Sequence, residues 1–259
     1  MDVDDLIFQG ADYHYKGEFD KAIAKFQAAV RIDPQNEYAH NQLGILYAKK
    51  ERFDAAFRVF QKVVRIDARN TYALLWLGIL YLKQGNLERG FEKFQRIMEI
   101  DPTNADGYYF LGAIYNFRHN TAKAIEYLKR ARDADSDEPD THYRLAQAFH
   151  NLDMTANALL EYQRTLALKP SHTKAISGIG WIYYNRGGRD AAIAEWKKII
   201  KINPKDRDAI FNLAKAYNDL AWEAMKRSKP KEAISYWKKT LRVDPKNKAA
   251  VYYLKKYQA

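Results

Sequence analysis

Seven aromatic residues stand at an unbroken interval of 34: Tyr13, Tyr47, Tyr81, Tyr115, Phe149, Tyr183 and Tyr217. A self-similarity of this length implies a stack of like supersecondary units, each burying its apolar face against its neighbours. Other columns keep the same interval. Three residues before each aromatic comes a small residue: Gly10, Gly44, Gly78, Gly112, Ala146, Gly180 or Ala214. Nine residues after it stands Ala22, Ala56, Gly90, Ala124, Ala158 or Ala192, and four further on Phe26, Phe60, Phe94, Leu128, Tyr162 or Trp196. Spacings of three and four put these columns on single helical stripes. Small residues suit places where two helices approach closely, and the aromatic fills the wedge between units.

Units close with Asp33-Pro34, Asp67-Ala68, Asp101-Pro102, Asp135-Ser136, Lys169-Pro170 or Asn203-Pro204, where proline ends one helix and presets the next. The combined pattern, Leu-Gly-x-x-Tyr, then Ala-x-x-x-Phe, then Pro, resembles the tetratricopeptide repeat (TPR) family over nearly the whole chain. The resemblance implies an all-α fold, a right-handed superhelical solenoid of antiparallel helix pairs. It sets repeats at 3–36, 37–70, 71–104, 105–138, 139–172, 173–206 and 207–247, with a capping helix at 248–259, as one solenoid over 1–259. Ala68 and Ser136 in place of proline, and Gly90 in place of alanine, mark expected softer places.

The seventh unit breaks the interval. Ala233 follows Tyr217 after sixteen residues, not nine. Seven added residues are close to two helical turns, so an extended first helix keeps its apolar face. Pro230 then suits the first turn of the second helix. In the closing helix Val251 and Leu254 are expected inward, with lysines outward.

The net charge of +11 is not spread evenly. Residues 173–259 hold 20 Lys+Arg against 8 Asp+Glu, whereas residues 1–172 hold 23 against 24. The basic third includes Lys197, Lys198, Lys201, Lys226, Arg227, Lys229, Lys231, Lys238, Lys239, Lys255 and Lys256. Such a patch attracts an acidic partner or an anionic membrane surface, or simply solvates the outer face. Trp196, Tyr236, Trp237, Tyr252 and Tyr253 interleave with the lysines as on nucleic-acid platforms, which keeps RNA binding as a minor alternative. Two of these rings fall in core columns, so packing accounts for most of the interleaving.

In the TPR family the first helices of successive repeats line a binding groove. Carried onto this sequence, the resemblance points to Tyr38, Asn41, Tyr72, Trp76, Tyr109, Phe110, Phe117, Tyr143, Arg144, Gln147, His150, Trp181, Tyr184, Phe211 and Lys215. Tyrosine and tryptophan there offer large contact area with a polar handle, suited to a peptide segment with apolar anchors. Two family specialisations are missing. Matching sites for the carboxylate clamp of chaperone-binding members carry Ile7, Ala11, Gln42, Tyr72 and Trp76. The asparagine ladder of the O-linked N-acetylglucosamine transferase column reads Gln42, Trp76, Phe110, Arg144, Gly178 and Asn212.

Catalysis finds no support. The six histidines lack metal-ligand spacing, and no phosphate loop or nucleophile elbow occurs, so no cofactor or metal is expected. The functional expectation is a non-catalytic scaffold or adaptor for a protein or peptide ligand. Its alternative is a self-assembling homo-oligomeric scaffold on a membrane or organelle surface, of the kind known from magnetosomes and pilus assembly. Ile7 and Phe8 at an exposed solenoid end, and an acidic start facing a basic finish, carry that alternative. A cytoplasmic setting is expected, with a periplasmic or membrane-peripheral one if an N-terminal targeting segment has been removed.

Overall fold

The computed structural model describes residues 2–258, among which there are fifteen helices and no strand. In order they are α1 (Val3–Tyr15), α2 (Phe19–Ile32), α3 (Glu37–Lys49), α4 (Phe53–Ile66), α5 (Thr71–Lys83), α6 (Leu87–Ile100), α7 (Ala105–Phe117), α8 (Thr121–Ala134), α9 (Pro139–Asn151), α10 (Thr155–Leu168), α11 (Thr173–Asn185), α12 (Arg189–Ile202), α13 (Arg207–Lys226), α14 (Pro230–Val243) and α15 (Lys248–Gln258). Short turns make each odd helix antiparallel to the even helix that follows. The chain divides into two compact units, the first ending at Ser136 and the second beginning at Asp137. The division falls at a junction that lacks the proline.

The first helices of the repeats start at side-chain caps. Asn36, Asn70 and Asn104 accept hydrogen bonds from the backbone N–H of Ala39 (2.9 Å), Ala73 (2.8 Å) and Gly107 (2.9 Å). Asp67 accepts from the Arg69 N–H at 2.8 Å, so the turn forms around Ala68 without proline. Asp206 caps α13 in the same way, and the His172 ring Nδ1 accepts from Ala175 N–H at 3.1 Å to start α11. Within each repeat the turn between paired helices needs one left-handed residue. Gly17, Gly85 and Gly187 supply it in three repeats, while Glu51, His119, Asp153 and Ser228 adopt it at φ 53–57° in the others.

The small column is explained by close approach. A Cβ on Gly44 would lie 2.5 Å from the Phe60 ring, on Gly78 2.6 Å from Phe94, and on Gly180 2.4 Å from Trp196 Nε1. Each of these glycines therefore faces the bulky residue of its own second helix. The aromatic column packs edge-on against the preceding repeat, Tyr81 on Phe57 at 5.0 Å and Tyr115 on Phe91 at 5.7 Å. Gly90, the departure from alanine, has Leu82 Cδ2 2.9 Å from where its Cβ would stand. It is close packing against a larger neighbour that places glycine there.

The extension is helical. α13 runs for 20 residues where α11 runs for 13, and its added turns bury Leu220, Ala221 and Ala224. Ala233 and Trp237 of α14 pack on those turns with Ala250 and Leu254 of α15. Pro230 occupies the first turn of α14. One expectation is corrected: Val251 faces solvent, 49% exposed, because α15 turns Ala250, Leu254 and Tyr257 toward α14. The closing residue 259 of the expected cap lies outside the described range.

Candidate protein-binding site

In the first unit the aromatic candidates form a layer over the core. Trp76 stacks on Phe60 with ring centroids 5.7 Å apart and planes 2° from parallel, and Phe110 stacks on Phe94 at 4.7 Å and 6°. Both occupy the sixth position of their repeat and cover the bulky residue of the repeat before. Tyr72 sits edge-on to Trp76, Tyr109 edge-on to Phe110, and Tyr38 edge-on to Phe26. Tyr38 and Tyr72 are exposed, and Phe117 at the end of α7 is 72% exposed. Asn41 is half-buried, with an Oδ1 that has no hydrogen-bond partner among the described residues.

In the second unit the same sixth position holds Arg144 on α9, Gly178 on α11 and Asn212 on α13. Arg144 is half-buried and Asn212 is buried. At Gly178 the ring of Tyr162 lies against the backbone: a Cβ there would stand 2.4 Å from Tyr162 Cζ. Tyr162, 2% exposed, is covered by this backbone and by Tyr143 rather than by a ring stacked on it as Trp76 is on Phe60. A cavity of about 380 Å³ opens in its place. Tyr143, Gln147 and His150 of α9 form one wall, and Lys174, Ser177 and Trp181 of α11 form another. The start of α13 closes it with Asp206 and Asp208.

The cavity is stiffly framed. Tyr143 packs at 4.7 Å from the His172 ring and 6.1 Å from Tyr162. Trp181 stands edge-on to Trp196 at 5.3 Å and to Tyr184 at 5.4 Å. The Tyr184 hydroxyl donates to Asp219 and accepts from Lys215 Nζ at 2.7 Å, tying α11 to α13. Burial pushes the Tyr162 and Tyr143 phenols up, so both hydroxyls remain donors at neutral pH. Phe211 on α13 is exposed nearby in sequence but does not line the cavity. This is a slot with aromatic walls, neutral donors and acceptors, and one cation facing two carboxylates. Among the described residues no group of three or more His, Asp or Glu is placed to hold a metal ion.

A tetratricopeptide repeat model matches residues 41–105 and 117–173, and a TPR repeat model matches residues 10–51, together more than half of the chain. The chain belongs to the tetratricopeptide repeat family. Its helix pairs are those of an all-α TPR solenoid, and TPR proteins generally mediate protein–protein interaction as non-catalytic scaffolds. No curated protein matches the chain by sequence. Among solved structures, MamA is 29% identical with a TM-score of 0.55, covering 64% of this chain and 97% of that one. The C-terminal part of a TPR repeat-containing protein from Cytophaga hutchinsonii is 19% identical with a TM-score of 0.72, covering 95% and 98%. YrrB, described as a TPR protein with an unusual peptide-binding site, is 19% identical with a TM-score of 0.55, covering 72% and 96%.

The basic candidates of this TPR chain, Lys197, Lys198, Lys201, Lys226, Arg227, Lys229, Lys231, Lys238, Lys239, Lys255 and Lys256, are all exposed. Lys198 pairs with Glu195 at 2.7 Å, Arg227 with Glu223 at 3.7 Å and Lys229 with Glu232 at 3.7 Å. Trp196 and Trp237 are 0% exposed, so neither ring can stack on a base. No helix is long and apolar enough to cross a membrane among the described residues. The reading of the TPR columns missed the cavity, although its signal was present: Gly178 is the smallest residue in a column that holds Trp76 and Phe110.

Proposed function

We propose that this protein is a non-catalytic adaptor that seats a segment of a protein partner across α9, α11 and α13, with one apolar side chain of the segment entering the cavity over Gly178. The observation that carries this reading is the ring-free sixth position at Gly178, beside which Tyr143 and Trp181 border an open slot where the first unit has its own rings. A partner ring seated there would pack against Tyr143 and Trp181. Gln147, Ser177 and the flanking charges supply orientation to the segment's backbone. The exposed rings Tyr38, Tyr72 and Phe117 offer further contact area in the first unit, and the basic third offers a second surface.

Peptides selected by phage panning against the whole chain test this. Ser177→Trp, which fills the mouth of the cavity from a half-exposed position, is expected to weaken selected peptides by about tenfold or more while helicity by circular dichroism stays unchanged. Selected peptides that bind Ser177→Trp and Trp181→Ala as they bind the parent would refute the reading.

Self-assembly stands as a second reading because α1 leaves Phe8 77% and Tyr15 93% exposed. Light scattering during size exclusion at low and high salt decides it. Assembly driven by the charged ends gives an oligomer that dissolves at high salt. A monomer at both salt concentrations removes this reading.

A further inference from the structure

The cavity above Gly178 is not the only one in the second unit. Another, of about 510 Å³, opens between α12 and α14, on second helices and away from the α9–α11–α13 slot. It lies beside the extended α13. In three repeats the aromatic column is covered by a cation from the first turns of its own second helix: Lys21 over Tyr13 at 5.4 Å, Arg89 over Tyr81 at 5.7 Å, and Lys123 over Tyr115 at 5.1 Å. The corresponding residue in the seventh repeat is Glu232, carried two turns further along by the longer α13. The end of α14 passes here in place of its start, as the hydrogen bond from Thr240 Oγ1 to Asn218 Oδ1 at 3.2 Å shows. Tyr217, only 5% exposed, lies buried at the base of the cavity.

Tyr236 and Val243 form a half-buried apolar floor over the buried Ile193 and Tyr217, while Lys197, Lys239 and Arg242 stand on the rim. None of these three cations pairs with a carboxylate among the described residues. Lys239 lies over the Tyr236 ring at 4.6 Å, which holds its charge at the mouth. Asp190 is the one acid on the lining, so the rim is net positive. A half-buried apolar floor ringed by unpaired cations is complementary to an apolar side chain flanked by carboxylates.

We propose that this cavity is a second docking site, for an acidic protein segment that inserts a leucine or phenylalanine against Tyr236 and Val243 and places carboxylates on Lys197, Lys239 and Arg242. The basic third is then a focused receptor and not merely a diffuse charge.

The probe is a fluorescein-labelled short peptide with a central Leu-Phe pair flanked by glutamates, followed by fluorescence anisotropy on the whole chain. The triple variant Lys197→Glu, Lys239→Glu, Arg242→Glu is expected to weaken it by about tenfold or more. Ala194→Trp, which fills the cavity from an exposed wall position and keeps every charge, is expected to weaken it as well. The control triple Lys226→Glu, Lys255→Glu, Lys256→Glu makes the same charge change outside the cavity and should hold affinity within about threefold at moderate salt. A glutamine version of the peptide should bind more weakly than the glutamate one, and Ser177→Trp should leave binding unchanged. Circular dichroism confirms that each variant is folded. The proposal is overturned if the peptide does not bind, if the control triple loses as much as the rim triple, or if Ala194→Trp changes nothing. Co-sedimentation with phosphatidylserine vesicles that the rim triple abolishes, with no peptide binding, would assign the site to a lipid surface instead and also overturn it.

Discussion

Replacing Gly180 with alanine should change the sign of its effect with the residue that faces it. Glycine in a helix interior costs about 0.5–1 kcal/mol relative to alanine, so Gly180→Ala alone would be stabilising on backbone grounds. The structure opposes this, because the added methyl would stand 2.4 Å from Trp196 Nε1 and 2.8 Å from Cε2. Trp196 is fully buried and held edge-on by Trp181, so it cannot swing aside without disturbing the cavity wall. Overpacking of this kind costs about 1–3 kcal/mol, and the net for Gly180→Ala is a loss of roughly 1 kcal/mol. Trp196→Ala by itself should cost about 3–5 kcal/mol through lost burial and the void left behind. In that background the methyl meets space and not a ring, and Gly180→Ala should gain about 0.5–1 kcal/mol. The double-mutant cycle therefore predicts a coupling of roughly 2 kcal/mol. Urea unfolding of the four proteins, followed by circular dichroism, measures it. Additivity within about 0.5 kcal/mol would refute the argument that the facing ring sets the small column.

Two further expectations concern buried histidines. The His40 Nε2–H donates to the Pro34 carbonyl at 3.1 Å, while Nδ1 is buried without a partner. Burial, the largest cause, holds this imidazole below its ordinary value of 6.5, so at mildly acidic pH the unfolded chain binds more protons than the folded one. The first unit should then be at full stability above pH 6.5 and lose stability as pH falls below it. His40→Gln should flatten that dependence, and an unchanged slope in urea titrations at several pH values would contradict it. In the second unit His142 Nδ1 meets Glu161 Oε2 at 2.6 Å, with both side chains buried. Glu161→Ala, which removes that carboxylate, should cost about 3 kcal/mol, read as a shifted urea midpoint; a shift no larger than that of an exposed-site control would show the pair to be dispensable.

Much of the fold was legible because the repeat makes the same packing decision seven times. Gly44 and Phe60, or Gly180 and Trp196, recur at fixed offsets, and only helices of fixed length in fixed register bring such pairs together. The extension was legible for the same reason, since seven residues nearly preserve the helical face. Val251 was not, because the inward side of α15 is set by its packing on Trp237 of α14 rather than by the column pattern. The candidate groove was legible only as a set of positions. Trp76 and Trp181, at the sixth and ninth positions of their repeats, are both tryptophans on first helices, yet one is stacked on the ring beneath it and the other borders an opening.

The periodic sequence by itself determined that the chain is a TPR solenoid, which helix faces are buried, and where charge gathers, because these follow from spacing and composition along one strand of residues. Only the tertiary structure decided where the surface is hollow. A cavity is a difference between what neighbouring helices could fill and what they do fill. Gly178 puts backbone over Tyr162 where the first unit stacks a ring, and the longer α13 brings the end of α14 beside Asn218. Both are relations between residues on different helices, whose effect appears only once the helices are packed.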